Sequence, residues 1–177
     1  KRRFALHNTA FGSRMRSVSL SPNGKYLLAC YADNYSLKRS RTRCELTELK
    51  TGRVILPAAD EKMRWMPRSN KLYYTVTGRQ RNDLVVFDPA TMREEVLLKD
   101  VPEGYFAWSP AEDYLIYSPD DKGEAVGGPL KRLLHPDDRI PDARSRNYLV
   151  RYDPATGLSE RLTYGSHAVY LNDISSD

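Results

Sequence analysis

The sequence contains no apolar run near the roughly 18 residues that a membrane-spanning helix needs, and only two cysteines and three histidines occur among its 177 residues. There is no Cys-x-x-Cys pair and no pair of histidines at metal-binding spacing, so the sequence predicts neither a metal site nor a redox site. No long helical period is present. We therefore expect a chain without a membrane span, a metal or a cofactor.

The chain begins Lys1-Arg2-Arg3, without a methionine or a secretion signal, so any export signal has been removed or was never part of this sequence. Its net charge is +5, which permits weak attraction to polyanions. The basic residues are spread along the chain, however, and accompany no nucleic-acid-binding motif. We predict no nucleic-acid partner, and we interpret the basic residues as parts of solvated loops and strand edges.

What the sequence does contain is a repeated pattern of short strands. Residues 105–117 carry aromatic and β-branched residues in two arms around a Ser-Pro-Ala-Glu-Asp break, which is typical of two antiparallel strands and a tight turn. The pattern recurs at 63–76 and at 16–31, where Asn23-Gly24 predicts a hairpin turn because both residues tolerate positive φ. We also predict a short strand at residues 3–9 and a polar, basic loop at residues 33–42.

The spacing of equivalent residues gives the period of the repeat. Pro22, Pro67 and Pro110 are 45 and 43 residues apart, and each pair of strands is followed by two more. A period near 43 residues with four strands per unit is the signature of a β-propeller blade. The third unit is longer because of one insertion, 119–146, which is rich in glycine, proline and charge.

The sequence therefore predicts an all-β fold, a partial β-propeller of about three to four four-stranded antiparallel blades. We place the blades at about 14–57, 61–99 and 104–163, with the next blade starting at 167–177, and we interpret 1–177 as a single propeller fragment. A blade buries both faces only by stacking on neighbours, and this number of blades cannot close a ring. We expect the missing blades, or self-association of copies, to cover the open blade edges.

The two cysteines, Cys30 and Cys44, fall on strands predicted to be adjacent and antiparallel. The residues leave two alternatives open, a cross-strand disulfide in an oxidising compartment and two separate buried thiols.

The repeats resemble TolB-type, WD40-like repeats, whose core reads Ser-Pro-Asp-Gly-Lys. The match is clearest at Ser21-Pro22-Asn23-Gly24-Lys25 and weaker at residues 66–71 and 109–113, while residues 152–157 and 161–163 are similar to the end of such a blade. Together with the inserted residues 130–134 and 136–139, these motifs resemble the N-terminal β-propeller of bacterial prolyl oligopeptidase and dipeptidyl peptidase IV-like serine peptidases.

The resemblance implies the non-catalytic propeller portion of an exported serine peptidase, periplasmic or secreted, which restricts substrate access and contacts a hydrolase domain absent from this chain. The nucleophile of that family lies in a Gly-x-Ser-x-Gly elbow, and this sequence has none. We therefore expect no enzyme activity from this chain alone. The alternative is a TolB-like periplasmic protein–protein interaction module, and a third interpretation is a carbohydrate-processing propeller with acidic residues converging on its channel.

The densest polar cluster lies in the insertion and comprises Arg132, His135, Asp137, Asp138 and Arg139. Histidine and aspartate can ligate metals, but the other histidines are remote in sequence. We interpret the cluster as an interdomain or partner contact, with a solvated surface loop as the alternative, and we assign no catalytic, cofactor-binding or metal-binding residue.

Two further features have structural interpretations. Glu94-Glu95 resembles the paired glutamates that hold the substrate amino terminus in dipeptidyl peptidases, but it lies inside a predicted blade strand, so we interpret it as a solvated strand edge. Trp65 and Trp108 each stand two residues before a turn proline, where Leu20 stands in the first unit. This equivalence predicts core packing between blades.

Overall fold

The computed structural model describes residues 12–36, 39–55, 63–78, 82–102, 105–121, 146–164 and 169–175. These residues form strands and turns and no helix. The strands are β1 (Gly12–Leu20), β2 (Tyr26–Ser36), β3 (Arg39–Glu48), β4 (Arg53–Ile55), β5 (Arg64–Trp65), β6 (Leu72–Thr77), β7 (Asn82–Asp88), β8 (Arg93–Val101), β9 (Phe106–Trp108), β10 (Leu115–Tyr117), β11 (Asp120–Asp121), β12 (Arg146–Asn147), β13 (Val150–Asp153) and β14 (Leu158–Arg161).

The strands build three four-stranded antiparallel sheets and one two-stranded ladder. Sheet order is β1-β2-β3-β4 in the first blade, β5-β6-β7-β8 in the second and β14-β13-β10-β9 in the third, while β11 pairs with β12. Four neighbouring antiparallel strands per repeat are what a propeller blade requires, so the predicted all-β partial propeller is confirmed. The chain divides into two compact units, Lys1–Asp100 and Val101–Asp177.

Within the first unit, the first and second blades share one hydrophobic core. Alternate residues of β2 and β3 point to the same face, as the strand period of two requires, and they meet the second blade. The cluster comprises Tyr26, Leu28, Cys30, Cys44, Leu46, Ile55, Met63, Leu72, Tyr74, Val85 and Phe87. At its edge Trp65 stacks on Tyr26, with ring centroids 6.5 Å apart. The blades of this unit are therefore stacked face to face.

The turn between the first two strands of a blade repeats one backbone pattern. In the first blade Ser21 N–H donates to Tyr26 C=O and Gly24 N–H donates to Ser21 C=O, both at 2.9 Å. In the third blade Ser109 and Glu112 make the same two bonds. The predicted hairpin turn at Asn23-Gly24 is present between β1 and β2, and Gly24 has positive φ there, at 67°. The loop spans four residues, and Pro22 fits the first central position of a turn because its φ is fixed and negative.

The turn between the last two strands of each described blade repeats a second pattern, in which a backbone N–H donates a hydrogen bond to the carbonyl four residues earlier. Gly52 donates to Glu48, Met92 to Asp88 and Gly157 to Asp153, each at 2.8 Å. All three donors have positive φ, including Met92 at 59°. The same turn is therefore kept in every blade, although a methionine occupies a position that favours glycine.

The first hairpin is longer than the sequence predicted. Residues 33–42 were expected to form a polar loop, but the ladder runs without a break from Cys30↔Cys44 to Asn34↔Ser40 and ends at Ser36↔Arg39. Polar residues are compatible with a ladder because the hydrogen bonds come from the backbone. Cys30 and Cys44 stand directly opposite each other and form a disulfide, so the first of the two alternatives is correct.

The buried turn serine of the third blade changes the acidity of a neighbouring carboxyl group. The Ser109 hydroxyl donates to Asp113, and this bond is the main reason why the pKa of Asp113 lies below its ordinary value; burial opposes the shift, while backbone N–H groups and Arg151 support it. A carboxyl group whose pKa is lower in the folded than in the unfolded chain stabilises the fold at pH values above its unfolded pKa, which is near 3.9 for aspartate. This contribution is lost as the pH falls through the folded-state pKa.

We therefore predict that Asp113→Asn lowers the melting temperature at pH 6 and that the difference from wild type shrinks as the pH falls below about 3.9. Parallel thermal denaturation of the two proteins from pH 6 to pH 2.5 measures this difference. A difference that is constant over the whole range would show that the charge of Asp113 contributes nothing.

The segment after the third blade, 167–177, was predicted to start the next blade. Its described part, 169–175, contains no strand, and the blade start stays a prediction. Val169 N–H instead donates to the side-chain oxygen of Asn147 at 2.8 Å, so this bond is made to a side chain and not to a neighbouring strand. The strand predicted at residues 3–9 lies outside the described residues.

Candidate functional site

The sequence placed its site candidates in the insertion. Arg132, His135, Asp137, Asp138 and Arg139 all lie outside the described residues, and so do residues 130–134. The structure does describe both ends of the insertion, 119–121 and 146, and the strands from which it leaves the third blade.

The two ends of the insertion form a stem that continues the third blade. Tyr117 pairs with Val150 in the β10–β13 ladder. Three residues further along each strand, Asp120 pairs with Asn147 in the β11–β12 ladder, so both ladders have the same register. Directly opposite residues of an antiparallel pair point to the same face. The Asp120 and Asn147 side chains therefore share one face of the stem.

A cleft of about 250 Å³ lies beside this stem, within the second unit. Its aromatic lining residues are Tyr105, Tyr117 and Tyr170, which we call the tyrosine wall. Its polar lining residues are Ser118, Asp120 and Asn147, and its aliphatic lining residues are Leu149, Val169 and Leu171. The cleft thus combines the start of β9, the end of β10, the start of β13 and the segment that follows the blade, which makes it a product of the fold and not of one loop.

Contacts within the third blade fix several of these groups. The Tyr117 ring stacks on Phe106, with centroids 5.9 Å apart. Asn147 holds the segment 169–171 against the stem through the bond to Val169 N–H. Ser118 Oγ is buried and has no hydrogen-bond partner among the residues that the structure describes. A buried hydroxyl without a partner carries a desolvation cost.

The charge of the cleft comes from Asp120. Among the lining residues that the structure describes it is the one acidic residue, without a lysine, arginine or histidine beside it, and its side chain is exposed. A predominantly apolar cavity with a few convergent polar groups is the usual form of a small-molecule or side-chain site. The arrangement can hold an apolar group against tyrosine rings and present the carboxylate of Asp120 to a polar group of the ligand.

The paired glutamates are not brought into this cleft. Glu94 accepts a hydrogen bond at 2.6 Å from the hydroxyl of Tyr74, whose ring is almost fully buried in the core of the first unit. Glu94 therefore gives a buried tyrosine its polar partner, as such residues usually require, and Glu95 lies exposed on β8. This agrees with the interpretation of the pair as part of a blade strand.

The tryptophan positions show which blade face is covered. Trp108 is 8% exposed and Trp65 packs on the core of the first unit, so the predicted core packing between blades is confirmed for Trp65. The equivalent Leu20 is 55% exposed. Leu20 belongs to the face of the first sheet that points away from the second blade, because it pairs with Leu27 and not with a core residue.

The cleft residues were missed by sequence reasoning because they stand at the edges of the insertion and not in its charged centre. Ser118, Asp120 and Asn147 are separated by up to 29 positions in the sequence, and only the shared register of the two ladders brings them together. The signal that could have found them was the insertion itself, since its two ends must leave the blade side by side.

Two kinds of site are not found in the described part of the chain. No helix in it has the length and apolar character required to cross a membrane. No group of three or more histidine, cysteine, aspartate or glutamate side chains there has a geometry that could hold a metal ion.

No protein-family profile matches the sequence, and no curated protein matches it. Several solved structures have a similar fold. An acylaminoacyl peptidase in complex with Z-Gly-Gly-Phe-chloromethyl ketone matches 88% of this chain with a TM-score of 0.64 and 11% identity. The β-propeller domain of the Trilobed protease from Pyrococcus furiosus matches 84% with 0.53 and 14%, and TolB from Acinetobacter baumannii matches 88% with 0.51 and 17%.

The matched region covers only 25% of the acylaminoacyl peptidase, 43% of the Trilobed protease propeller and 34% of TolB. This chain therefore spans less than half the length of each of these proteins. The propeller architecture predicted from the sequence is the architecture of these similar structures. The chain is part of a β-propeller whose fold is shared with an acylaminoacyl peptidase, a protease propeller domain and TolB.

Proposed function

We propose that this chain is the non-catalytic propeller portion of an exported serine peptidase of the prolyl oligopeptidase type. The observation that carries the proposal is the fold shared with an acylaminoacyl peptidase over 88% of the chain, in a sequence without a Gly-x-Ser-x-Gly elbow. A propeller without its own nucleophile contributes to such an enzyme by position. Its role would be to restrict substrate access and to contact a hydrolase domain.

The blade organisation of the proposal is the one given by the repeats. Blades at about 14–57, 61–99 and 104–163, with the next starting at 167–177, form one propeller fragment, and the insertion 119–146 leaves from the third blade. The cluster Arg132, His135, Asp137, Asp138 and Arg139 would contact the hydrolase domain or another partner. The stem supports this role because it fixes both ends of the insertion on the blade.

The disulfide supports an exported protein. Cys30 is 4% exposed and Cys44 is 1% exposed, and they are bonded across adjacent strands. Structural disulfides persist in oxidising compartments and are rare in the cytosol. A periplasmic or secreted location is therefore part of the proposal.

The uncovered face of the first blade supports a partner for the blade edges. Val18, Leu20 and Val54 are 50%, 55% and 52% exposed, and the ladder places them on one face because Val18 and Leu20 pair with Ala29 and Leu27 while Val54 pairs with Thr47. We propose that missing blades of the parent protein cover this face, or a second copy when the chain is alone. Size-exclusion chromatography with light scattering that returns only monomer would remove self-association.

An activity assay tests the non-catalytic assignment directly. The purified chain should release no nitroaniline from dipeptidyl-nitroanilide substrates, and it should not react with a fluorophosphonate probe for activated serines. Turnover that co-purifies with the chain and is abolished by the probe would overturn the assignment.

The second candidate is a TolB-like interaction module with no enzyme attached, favoured by the likeness to TolB. The two candidates differ in what the gene encodes after Asp177. The peptidase proposal requires further blades and a domain with a Gly-x-Ser-x-Gly elbow, and sequencing the complete reading frame decides between them.

A further inference from the structure

We propose that the cleft beside the stem binds the positively charged side chain of a lysine or arginine in a peptide. The inference deepens the proposed function and rests on it for one element, the choice of a peptide as ligand. It is tested by binding to the chain itself and not by catalysis. A failure of binding therefore leaves the peptidase assignment standing, and a missing hydrolase domain leaves the cleft result standing.

The charge of the lining favours a cation. The chain has 28 lysines and arginines against 23 acidic residues, yet Asp120 is the charged residue of the cleft lining, and no basic residue joins it among the lining residues that the structure describes. The Asp120 side chain is exposed and shares its face of the stem with the neutral Asn147. A carboxylate in this setting attracts an ammonium or guanidinium group and repels an acidic side chain.

The tyrosine wall suits the same ligand. A cation over the face of an aromatic ring, within about 6 Å of its centroid, is attracted by the ring. Tyr105 and Tyr170 are 46% and 78% exposed, so a ligand can reach them. The third blade already stacks its own cations in this way, because the Arg161 guanidinium lies 4.0 Å from the Tyr148 centroid and the Arg151 guanidinium lies 4.5 Å from that of Tyr114.

The size of the cleft completes the fit. A volume of about 250 Å³ can admit one long side chain, whose apolar stem would lie along Leu149 and Leu171.

Calorimetric titration of the 177-residue chain with capped tripeptides tests the proposal. The probes are acetyl-Gly-Arg-Gly-amide, its neutral isostere with citrulline, and the glutamate peptide, none of which has charged ends. The arginine peptide should bind at least tenfold more tightly than the citrulline peptide, and the glutamate peptide should not bind. Asp120→Asn should weaken arginine binding about two- to fivefold and leave citrulline binding nearly unchanged, because an ion pair with an exposed carboxylate is worth about this factor.

Two further variants separate the charge from the wall and from unfolding. Tyr170→Ala should weaken both peptides, and the arginine peptide more, because the ring attracts the cation; Glu95→Gln, which removes an exposed carboxylate on the second blade, should change neither. Circular dichroism confirms that each variant is folded. Equal affinity for arginine and citrulline, arginine binding unaffected by Asp120→Asn, or no binding of the arginine peptide by the folded chain would each overturn the proposal.

Discussion

Leu46→Ala should lower the free energy of unfolding by about 2–5 kcal/mol, the range observed when a buried leucine is truncated in a packed core. Leu46 is 0% exposed and lies in the core shared by the first and second blades. The cost arises because the cavity would open between two sheets, each of which is held in place by the other. Urea denaturation followed by tryptophan fluorescence measures the change, since Trp65 packs on the same core.

The matched control is Val54→Ala on the adjacent strand. Val54 pairs with Thr47, the residue next to Leu46, but it points to the opposite face and is 52% exposed. Its truncation should cost less than about 1 kcal/mol. If the two variants were equally destabilised, the face assigned to the core would be wrong.

Replacing both cysteines by alanine should be the second large effect, with a loss of about 3 kcal/mol from the release of the cross-link alone. The disulfide joins residues 14 positions apart, and closing a loop of this length restricts the unfolded chain by about that amount in the loop-entropy account. The first hairpin is held by the ladder and by this bond, so we expect its backbone amides to exchange faster after the replacement.

Reduction provides the control for the cysteine prediction. A reductant that reaches the bond, which is buried, should bring the wild-type chain close to the stability of the double variant and should not affect the variant itself. Alkylation under denaturing conditions without reductant should add no label to the wild type. Labelling of both thiols in protein purified from an oxidising compartment would contradict the disulfide.

The fold could be predicted from the sequence because it is repeated. The turn proline recurs at Pro22, Pro67 and Pro110, 45 and 43 residues apart. A repeat of four short strands with a period near 43 residues is typical of a propeller blade. The details of the turns were less accessible. The Asn23-Gly24 signal located the first hairpin turn, but it could not tell that Gly24 alone has positive φ there, or that Glu112 has positive φ, at 64°, in the third blade.

The length of the first hairpin could not be predicted, for a different physical reason. Residues 33–42 are mostly polar and show no hydrophobic alternation in the sequence, yet the backbone ladder continues through them to Ser36↔Arg39. Hydrophobic period reports burial and not hydrogen bonding. The pairing of Cys30 with Cys44 remained open because it depends on the register between two strands, which neither strand sequence specifies alone.

The cleft was the least predictable feature. Its polar residues, Ser118, Asp120 and Asn147, come from the two ends of an insertion and meet only because one register continues from β10–β13 into β11–β12. The candidates chosen from composition, in 132–139, remain predictions. Composition identifies the inserted loop, whereas the cleft residues lie where that loop leaves the strands of the blade.

The central claim is that four-stranded units bury their faces by stacking on one another. A nuclear Overhauser spectrum of the labelled chain tests it most directly, because the Tyr26 and Trp65 rings come from different blades and lie 6.5 Å apart between centroids. The account predicts cross-peaks between these two rings, together with cross-strand peaks between Leu28 and Leu46. Helical amide patterns through β2 and β3, or a Trp65 ring with contacts only to solvent, would contradict it.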